Sequence, residues 1–415
     1  MKRLLLIVVA VVLVLTAMLF ILSEMDDSGA PASSAQNQGA SPRGYVVSTL
    51  AGTFFGRNLE TVDGPGDKAS FRDLGGIALG PEGSLYVADT MDNKIRKITA
   101  DGAVSTIAGK GAYRDGSYDD GRGYHDGDCA SAAFDYPHGI AVDQAGNIYV
   151  AENNNVIRKI TTSAGGCQVS TLAGSGTSGH IDSTGKAAGF FGPEGLAIDA
   201  AGNLYVADGA IRKVTSDGVV TTIAGSSYRN TDGATSIPVL LRRPTRLATA
   251  LRNRIFGDAI SLTATFSSSD GIAVDAAGNV YVSGTFFGVR KITPDGWVST
   301  LAGAEKIGVS LNRGVAADAH GNLYVSDSEN RVVRISPAGE VTTIAGVGGN
   351  DNLMRVLREM AEARHRSNHI NTDESMLDGP ADQAAFFKPN NMVVDANSVI
   401  YVADSMKIRK ITPQP

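Results

Sequence analysis

The sequence predicts an all-β fold in which six four-stranded antiparallel units close into a ring. Three observations predict it. A block of four short β-forming segments recurs six times around segments such as Asn-Leu-Tyr-Val-Ala-Asp. Spacing within the block is nearly constant, whereas the connections between blocks vary widely in length. The last block lacks its fourth segment, and a matching segment lies near the N-terminus. Such a closed ring of repeats is a six-bladed β-propeller.

An apolar run precedes the repeats. Lys2 and Arg3 come before residues 4–22, which contain a single polar residue, Thr16. A helix of this length measures about 28 Å, close to the hydrocarbon thickness of a bilayer. Basic residues before the run favour a cytoplasmic N-terminus and a propeller outside the cytoplasm, periplasmic or at the cell surface. We therefore predict one transmembrane helix as an N-terminal anchor at 1–23, a flexible linker at 24–43 and the propeller at 44–415. A cleaved signal peptide is the alternative for the first segment.

Each block reads as four strands, a to d, bounded by turn residues. Strand b carries one tyrosine in every block: Tyr86, Tyr149, Tyr205, Tyr281, Tyr324 and Tyr401. Strand d ends in an Ala-Gly pair, 20 to 25 residues after that tyrosine in the five blocks that contain both. From each Ala-Gly pair to the next tyrosine the distance varies from 21 to 56 residues. Insertions therefore fall between strand d and the next strand a.

The order of segments predicts how the ring closes. The last block has strand a at Met392–Asp395, strand b at Ser398–Asp404 and strand c at Lys407–Thr412. Its missing strand d is found at Val46–Gly52. We expect this N-terminal strand to complete the sixth blade. A linear solenoid, the alternative, would leave both end units open.

These motifs resemble the NHL-repeat family of six-bladed propellers. The resemblance is carried by Asp-Ala-Ala-Gly-Asn-Leu-Tyr-Val-Ala-Asp at 199–208 and by Ile-Arg-Lys-Ile-Thr at 95–99 and 157–161, and it covers about 44–412. The family's Asn-His-Arg turn is degenerate here. Members of the family include binding and sensing domains, some tethered outside bacterial membranes, and a few enzymes. The resemblance thus implies the fold and leaves the function open.

Residues that repeat in every block are best explained by the fold. We expect the tyrosines to pack between blades. The arginines of strand c and the carboxylates at the end of strand b should form ladders of paired charges and turn hydrogen bonds. The arginines are Arg96, Arg158, Arg212, Arg290 and Arg409, and the carboxylates are Asp89, Glu152, Asp208, Asp327 and Asp404. The aspartates before the a–b turns should accept hydrogen bonds from turn amides. The net charge of -6 argues against a nucleic-acid binder.

In an antiparallel blade, the d–a connections and b–c turns share one face of the disc. We call this the loop face, and it is the default binding surface. Its partner is predicted to be a protein, a peptide or a cell-envelope component. At the centre of this face, one variable residue per block precedes strand a and should lie at the channel mouth. These residues are Gly75, His138, Glu194, Asp270, Arg313 and Asn391.

The segments Pro193–Leu196 and Asp270–Asp275 resemble the metal-ligand segments of gluconolactonase (SMP-30-like) propellers. That resemblance implies a site for Ca²⁺ or another divalent cation at Glu194, Asp270 and Asn391, and hydrolysis of a lactone or ester. Oxygen ligands of this type suit a hard cation. Arg313 departs from an all-ligand ring because a guanidinium repels a cation. A binding module and a metal-dependent hydrolase therefore remain two alternatives, and the sequence favours the first.

Two insertions have helical periodicity, at 244–256 and 353–366. Both are predicted to lay an apolar stripe on the disc, with a basic lid or dock as the alternative. His365 and His369 are four residues apart, a spacing that permits chelation on a helix, but no third zinc ligand is evident. Cys129 and Cys167 lie toward opposite faces. A disulfide between them requires the insertion to fold down the rim of the disc.

Overall fold

The computed structural model describes residues 44–53, 61–111, 113–114, 117–118, 122–163, 165–225, 259–260, 266, 269–284, 287–303, 307, 314–327, 329–348 and 377–414. Within these ranges, no helix is long and apolar enough to cross a membrane. The predicted anchor and linker, the two predicted helices, His365, His369 and Arg313 all lie outside the described residues.

Six antiparallel sheets form the six predicted blades, each running a, b, c, d in hydrogen-bonded order. Blade 1 consists of Leu74–Leu79, Leu85–Asp89, Lys94–Ile98 and Val104–Ala108. Blade 2 consists of Pro137–Val142, Ile148–Glu152, Val156–Ser163 and Gly166–Ala173. Blade 3 consists of Gly195–Ile198, Leu204–Ala207, Ile211–Val214 and Val219–Ala224. Blade 4 consists of Ser269–Val274, Val280–Gly284, Gly288–Ile292 and Trp297–Ala302. Blade 5 consists of Val315–Ala317, Leu323–Ser326, Val332–Ile335 and Val341–Ala345.

Blade 6 is closed by the N-terminal strand, as predicted. Its strands a to c are Pro389–Val394, Ile400–Asp404 and Lys407–Pro413, and its strand d is Tyr45–Ala51. The pairing is antiparallel, with Val46 opposite Thr412 and Thr49 opposite Arg409. The first and last described segments of the chain thus share one sheet, so the ring has no open end.

Four blades carry a fifth, two-residue strand on the outside of strand d, which the sequence did not predict. These strands are Gly127–Asp128 in blade 2, Ser183–Thr184 in blade 3, Ala259–Ile260 in blade 4 and Gly379–Pro380 in blade 6. Each belongs to the d–a connection, which passes along the rim before it enters the centre. The connections also contain a short hairpin, formed by Tyr113–Arg114 and Ser117–Tyr118, and a 3₁₀ turn at Gly185–Ala187. A second 3₁₀ turn, Thr90–Asp92, forms the b–c turn of blade 1.

The rim strand of blade 2 brings together the two cysteines whose pairing the sequence left open. Asp128 pairs with Gln168, so the next residue, Cys129, lies beside the start of strand d. Cys129 and Cys167 are bonded, with their Cα atoms 5.4 Å apart. The insertion therefore folds down the rim, the one route by which these cysteines could meet.

The hydrophobic core consists of separate clusters, one at each of the six interfaces between neighbouring blades. Tyr86 of blade 1, for example, packs with Ile140 and Val150 of blade 2. Tyr205 of blade 3 packs with Ile272 of blade 4 in the same way. A blade buries its faces only against its neighbours, which confirms the predicted role of the tyrosines and explains why the repeats must close.

The face opposite the loop face is built from short turns held by aspartate. Asp199 Oδ1 accepts hydrogen bonds from the amides of Ala201 and Asn203 at 3.0 and 2.8 Å. Its Oδ2 accepts from Asn203 Nδ2 and from the Tyr205 hydroxyl, at 2.9 and 3.1 Å. Burial acts to raise the pKa of Asp199, but these hydrogen bonds outweigh it and hold the pKa below its ordinary value. The same turns recur in other blades, as predicted for the repeated Asp-x-x-Gly-Asn-x-Tyr pattern.

Candidate functional site

The candidate site is the centre of the loop face, where the d–a connections enter strand a. His138 and Glu194 occupy equivalent positions in blades 2 and 3, each one residue before a glycine of strand a. Gly75 is the equivalent residue of blade 1, and it is buried. Asp270 lies in strand a of blade 4, where the backbone alone is described. The structure thus brings the backbones of four of the six predicted positions to one ring, through strands that start side by side.

In blade 6 the ring position belongs to Asn390, one residue before the predicted Asn391. The strand register establishes this, because Met392 faces Val402 as Ile140 faces Val150 in blade 2. A Cβ atom built on Gly314 would meet the carbonyl oxygen of Asn390 at 2.5 Å, as one on Gly139 would meet that of Glu194. The prediction was one residue off because an asparagine replaces the glycine that marks the position in the other blades.

Asn391 instead lines the central channel. The channel is a cavity of about 230 Å³ whose wall comes from strand a of all six blades. Its other lining residues are glycine, alanine and larger aliphatic residues. Asn391 stands where blades 1 and 2 have Gly76 and Gly139, and among the described lining residues it is the one with a polar side chain.

Opposite charges meet at the mouth between blades 6 and 1. Lys388 Nζ lies 3.3 Å from Asp73 Oδ2, and both side chains are about one-third exposed. Asn390 Nδ2 donates to the carbonyl of Leu74 at 3.1 Å, across the same junction. Burial lowers the pKa of His138, against the opposing attraction of Glu194 and Asp73, so the imidazole is neutral at pH 7. The mouth therefore offers an exposed carboxylate, a neutral imidazole, an amide and a lysine–aspartate pair.

The metal prediction at Glu194, Asp270 and Asn391 stays a prediction. Among the side chains that the structure describes, no three or more His, Cys, Asp or Glu residues are grouped so as to hold a metal ion. Glu194 is exposed at the mouth, and Asn391 faces the channel wall one position away from the ring. The side chain of Asp270 lies outside the described part.

Buried arginines tie the connections of the loop face to the disc. The guanidinium of Arg158 donates to Glu152 of strand b at 2.9 Å, as predicted, and to Asp126 of the d–a connection at 2.7 Å. It also donates to the carbonyls of His125 and Ala133 at 2.9 and 3.1 Å. Blades 1, 3 and 6 repeat this arrangement with Arg96, Arg212 and Arg409. Each of these arginines is fully buried, so the connection it holds becomes part of the rigid scaffold.

Sequence reasoning missed the connection half of this arrangement. The carboxylates are Asp63, Asp126, Asp182 and Asp378, and each is followed by a small residue. A phenylalanine that stacks on the guanidinium follows each of them, at an Ala-x-Phe segment: Phe71, Phe134, Phe190 and Phe386. The signal was available, because each aspartate precedes its arginine by 30 to 33 residues.

Sequence comparisons match this architecture. Residues 268–414 match the family model of the teneurin NHL domain, and residues 134–155 match that of the NHL repeat. The Arabidopsis thaliana protein SUPPRESSOR OF QUENCHING 1, chloroplastic, is 31% identical over 166 residues, 39% of this chain and 15% of that protein. The Bos taurus NHL repeat-containing protein 2 is 35% identical over 149 residues, 34% of this chain and 20% of that protein. The matched part of the chain thus spans a fifth or less of the length of these relatives.

Solved structures share the fold. A structural genomics protein of unknown function from Bacteroides thetaiotaomicron matches with a TM-score of 0.56 and 18% identity, over 89% of this chain and 76% of that one. The gluconolactonase XC5397 from Xanthomonas campestris matches with a TM-score of 0.48 and 12% identity, over 85% and 88%. The second likeness is too distant to carry an argument about activity. With part of its repeats matched by these family models and its ring of six blades closed, the chain resembles the NHL-repeat β-propellers, as the sequence predicts.

Proposed function

We propose that the chain is a binding module that works outside the cytoplasm and recognises a protein, a peptide or a cell-envelope component through its loop face. The observation that carries the proposal is the confinement of variation to that face. Among the described residues, the opposite face repeats one short aspartate-held turn, whereas the sequence confines the variation in length and the variable mouth residues to the d–a connections. A rigid scaffold that carries variable loops is the common design of a binding surface.

Two exposed phenylalanines give this face apolar contact area. Phe191 and Phe387 occupy equivalent places in blades 3 and 6, directly before the chain enters strand a. Their side chains are 53% and 47% exposed, although each follows a phenylalanine that is fully buried on an arginine. Exposed aromatic groups beside charged and amide groups are typical of protein-binding surfaces.

The proposed location rests on two features. The apolar run at 4–22 follows two basic residues, an arrangement that favours export of what comes after it. The Cys129–Cys167 disulfide is the kind of bond that persists in oxidising compartments and is rare in the cytosol. We propose that residues 4–22 span a membrane and anchor the propeller on its extracytoplasmic side.

Site-specific photo-crosslinking in intact cells tests the binding surface. A photoreactive residue is placed at Phe191 or Phe387, and at Asp101 or Asp217 in the c–d turns of the opposite face as a matched control. We expect adducts with the same envelope component from the first two positions and none from the control positions. Adducts from the control positions alone, or from all four equally, would contradict the proposal.

A calcium titration tests the hydrolase alternative. If the mouth holds a divalent cation, calcium raises the unfolding temperature, and Glu194→Gln combined with Asp270→Asn abolishes that shift. The parent protein is measured first. If calcium does not raise its unfolding temperature and elemental analysis finds no bound divalent ion, the protein lacks the metal site. We expect that second result, since the sequence predicts Arg313 in the same ring and a guanidinium repels a cation.

A further inference from the structure

Blade 5 differs from the other blades at its outer edge. Its last strand, Val341–Ala345, ends a four-stranded sheet, and no described residue pairs with its outer side. Blades 2, 3, 4 and 6 carry the two-residue rim strand at this place. Blade 1 has a single antiparallel bridge there, between Gly64 and Val104, with both backbone hydrogen bonds formed at 2.9 and 2.8 Å.

The five other blades define what such an edge binds. In each, a small residue faces the valine that opens the repeated Val-x-Thr segment of strand d: Gly64 with Val104, Gly127 with Val169, Ser183 with Val220, Ala259 with Val298 and Gly379 with Val47. In blades 1, 3 and 6, the aspartate before the small residue accepts from the amide and hydroxyl of the threonine, at 2.8 to 3.1 Å. In blade 2, Asp126 accepts from the Thr171 hydroxyl at 3.1 Å.

Val341 and Thr343 are the corresponding residues of blade 5. Thr343 faces Val333 of strand c, as Thr106 faces Arg96 in blade 1. The register therefore turns the amide and carbonyl of Val341, and the amide of Thr343, away from the sheet. No hydrogen bond from the Thr343 hydroxyl occurs in the described structure.

The interior of blade 5 is complete without a rim strand. Val333 stands where four blades bury a paired arginine, so no cation is left without its carboxylate. Ile307 is fully buried in the same core cluster as Val333, the place that phenylalanine takes in the other blades. The edge of Val341–Ala345, which no described residue pairs with, thus belongs to a blade whose described interior is complete. An unpaired edge of this kind is a template for another strand.

We propose that the outer edge of blade 5, at Val341–Ala345, binds an extended peptide segment of a partner protein by adding it as a fifth antiparallel strand. Such augmentation draws its affinity from main-chain hydrogen bonds and its specificity from a few side chains. The rim segments of this chain supply the template for the ligand, an aspartate followed by a small residue. The small residue faces Val341, and the preceding side chain accepts from Thr343. Blades 1 and 6 use Asp-Gly-Pro.

A labelled peptide copying residues 59–67, which contains the Asp-Gly-Pro of blade 1, serves as the probe, and binding to the full chain is followed by fluorescence anisotropy. The matched control peptide has N-methylglycine in place of the glycine that faces Val341, which removes the amide donor alone. We expect saturable binding of the first peptide and at least tenfold weaker binding of the second. Absence of binding by the first peptide at millimolar concentration would overturn the proposal.

Variants locate the binding to this edge. Val341→Pro removes an outward amide without touching the ladder to strand c, and we expect it to abolish binding. Thr343→Val removes the hydroxyl and should weaken binding three- to tenfold. Thr342→Val, whose amide faces strand c, is the control and should bind as the parent does. Unchanged far-ultraviolet circular dichroism and unfolding temperature exclude misfolding.

Two results would overturn the inference. Peptide binding that survives Val341→Pro would place the peptide elsewhere on the disc. Sedimentation that shows a dimer abolished by Val341→Pro, together with no peptide binding, would assign the edge to a second copy of this chain. The inference is independent of the loop face, so failure of the crosslinking experiment leaves it standing.

Discussion

Replacing Arg158 by leucine tests the claim that buried guanidinium groups hold the loop face to the disc. Arg158 is fully buried, and it binds Glu152, Asp126 and two main-chain carbonyls at distances of 2.7 to 3.1 Å. Its guanidinium also lies over the rings of Phe134 and Tyr124, at 5.3 and 5.2 Å.

The expected loss follows from what the leucine leaves behind. Removing one partner of a buried ion pair costs about 3–5 kcal/mol, because the other charge stays buried without compensation. Burial already raises the pKa of Glu152 to about 7, so this carboxyl can take up a proton when the cation is gone. We therefore expect the lower end of that range, about 3 kcal/mol of unfolding free energy.

Urea unfolding of the full chain at pH 7 measures the loss. Arg334→Leu is the matched control, since this arginine of blade 5 also lies in strand c and forms no ion pair in the described structure. The control should lose less than about 1 kcal/mol, the usual range for substitutions away from such networks. A loss for Arg158→Leu no larger than that of the control would refute the reasoning.

Three further predictions follow from the same contacts. Folding raises the pKa of Glu152 from 4.5 to about 7, so the folded state binds a proton more tightly than the unfolded state does. The unfolding free energy of the parent should therefore fall by up to about 3 kcal/mol, relative to that of Glu152→Gln, as pH rises from 5 to 8. A difference in unfolding free energy that grows in the parent's favour with pH would contradict this. Replacing both Cys129 and Cys167 by alanine should cost about 4 kcal/mol in urea unfolding, from a crosslink with a separation of 38 residues; an unchanged midpoint would exclude a stabilising bond. Val47→Asp places a charge in the buried interface between blades 5 and 6, where Val47 is 1% exposed. It should open the ring, which would be measured as an increased hydrodynamic radius. Ser48→Asp, at a half-buried position on the same strand, should leave the radius unchanged.

The sequence predicts the ring and its closure because these features depend on short-range periodicity. Alternating apolar residues define the strands, and the spacing from Tyr401 to the last strand shows which strand is missing. The interblade role of the tyrosines follows in the same way, because a position occupied identically in every block meets the same neighbour in every block.

The rim strands could not be derived from local pattern, although their aspartates recur 30 to 33 residues before each paired arginine. A two-residue strand such as Gly379–Pro380 has no periodicity of its own, and it exists because Val46 and Val47 of a distant segment pair with it. The ring position in blade 6 was misassigned for a related reason. In the other blades a glycine follows the ring position and allows close approach of neighbouring backbones. In blade 6 Asn391 replaces that glycine, although the strand keeps its register.

Blade 5 explains why these missed elements belong together. A buried arginine is tolerable where both its carboxylates and its stacking ring are present, since an unpaired buried cation costs several kcal/mol. The aspartate and the phenylalanine both come from the d–a connection, so a blade whose connection is too short to supply them cannot keep the arginine. Blade 5 has the shortest spacing from an Ala-Gly pair to the next tyrosine, 21 residues from Gly303 to Tyr324, and it has Val333 and Ile307 in place of the arginine and the ring. The replacement of the aspartate, the arginine and the ring is therefore one coupled change, and among the described residues no rim strand pairs with this blade.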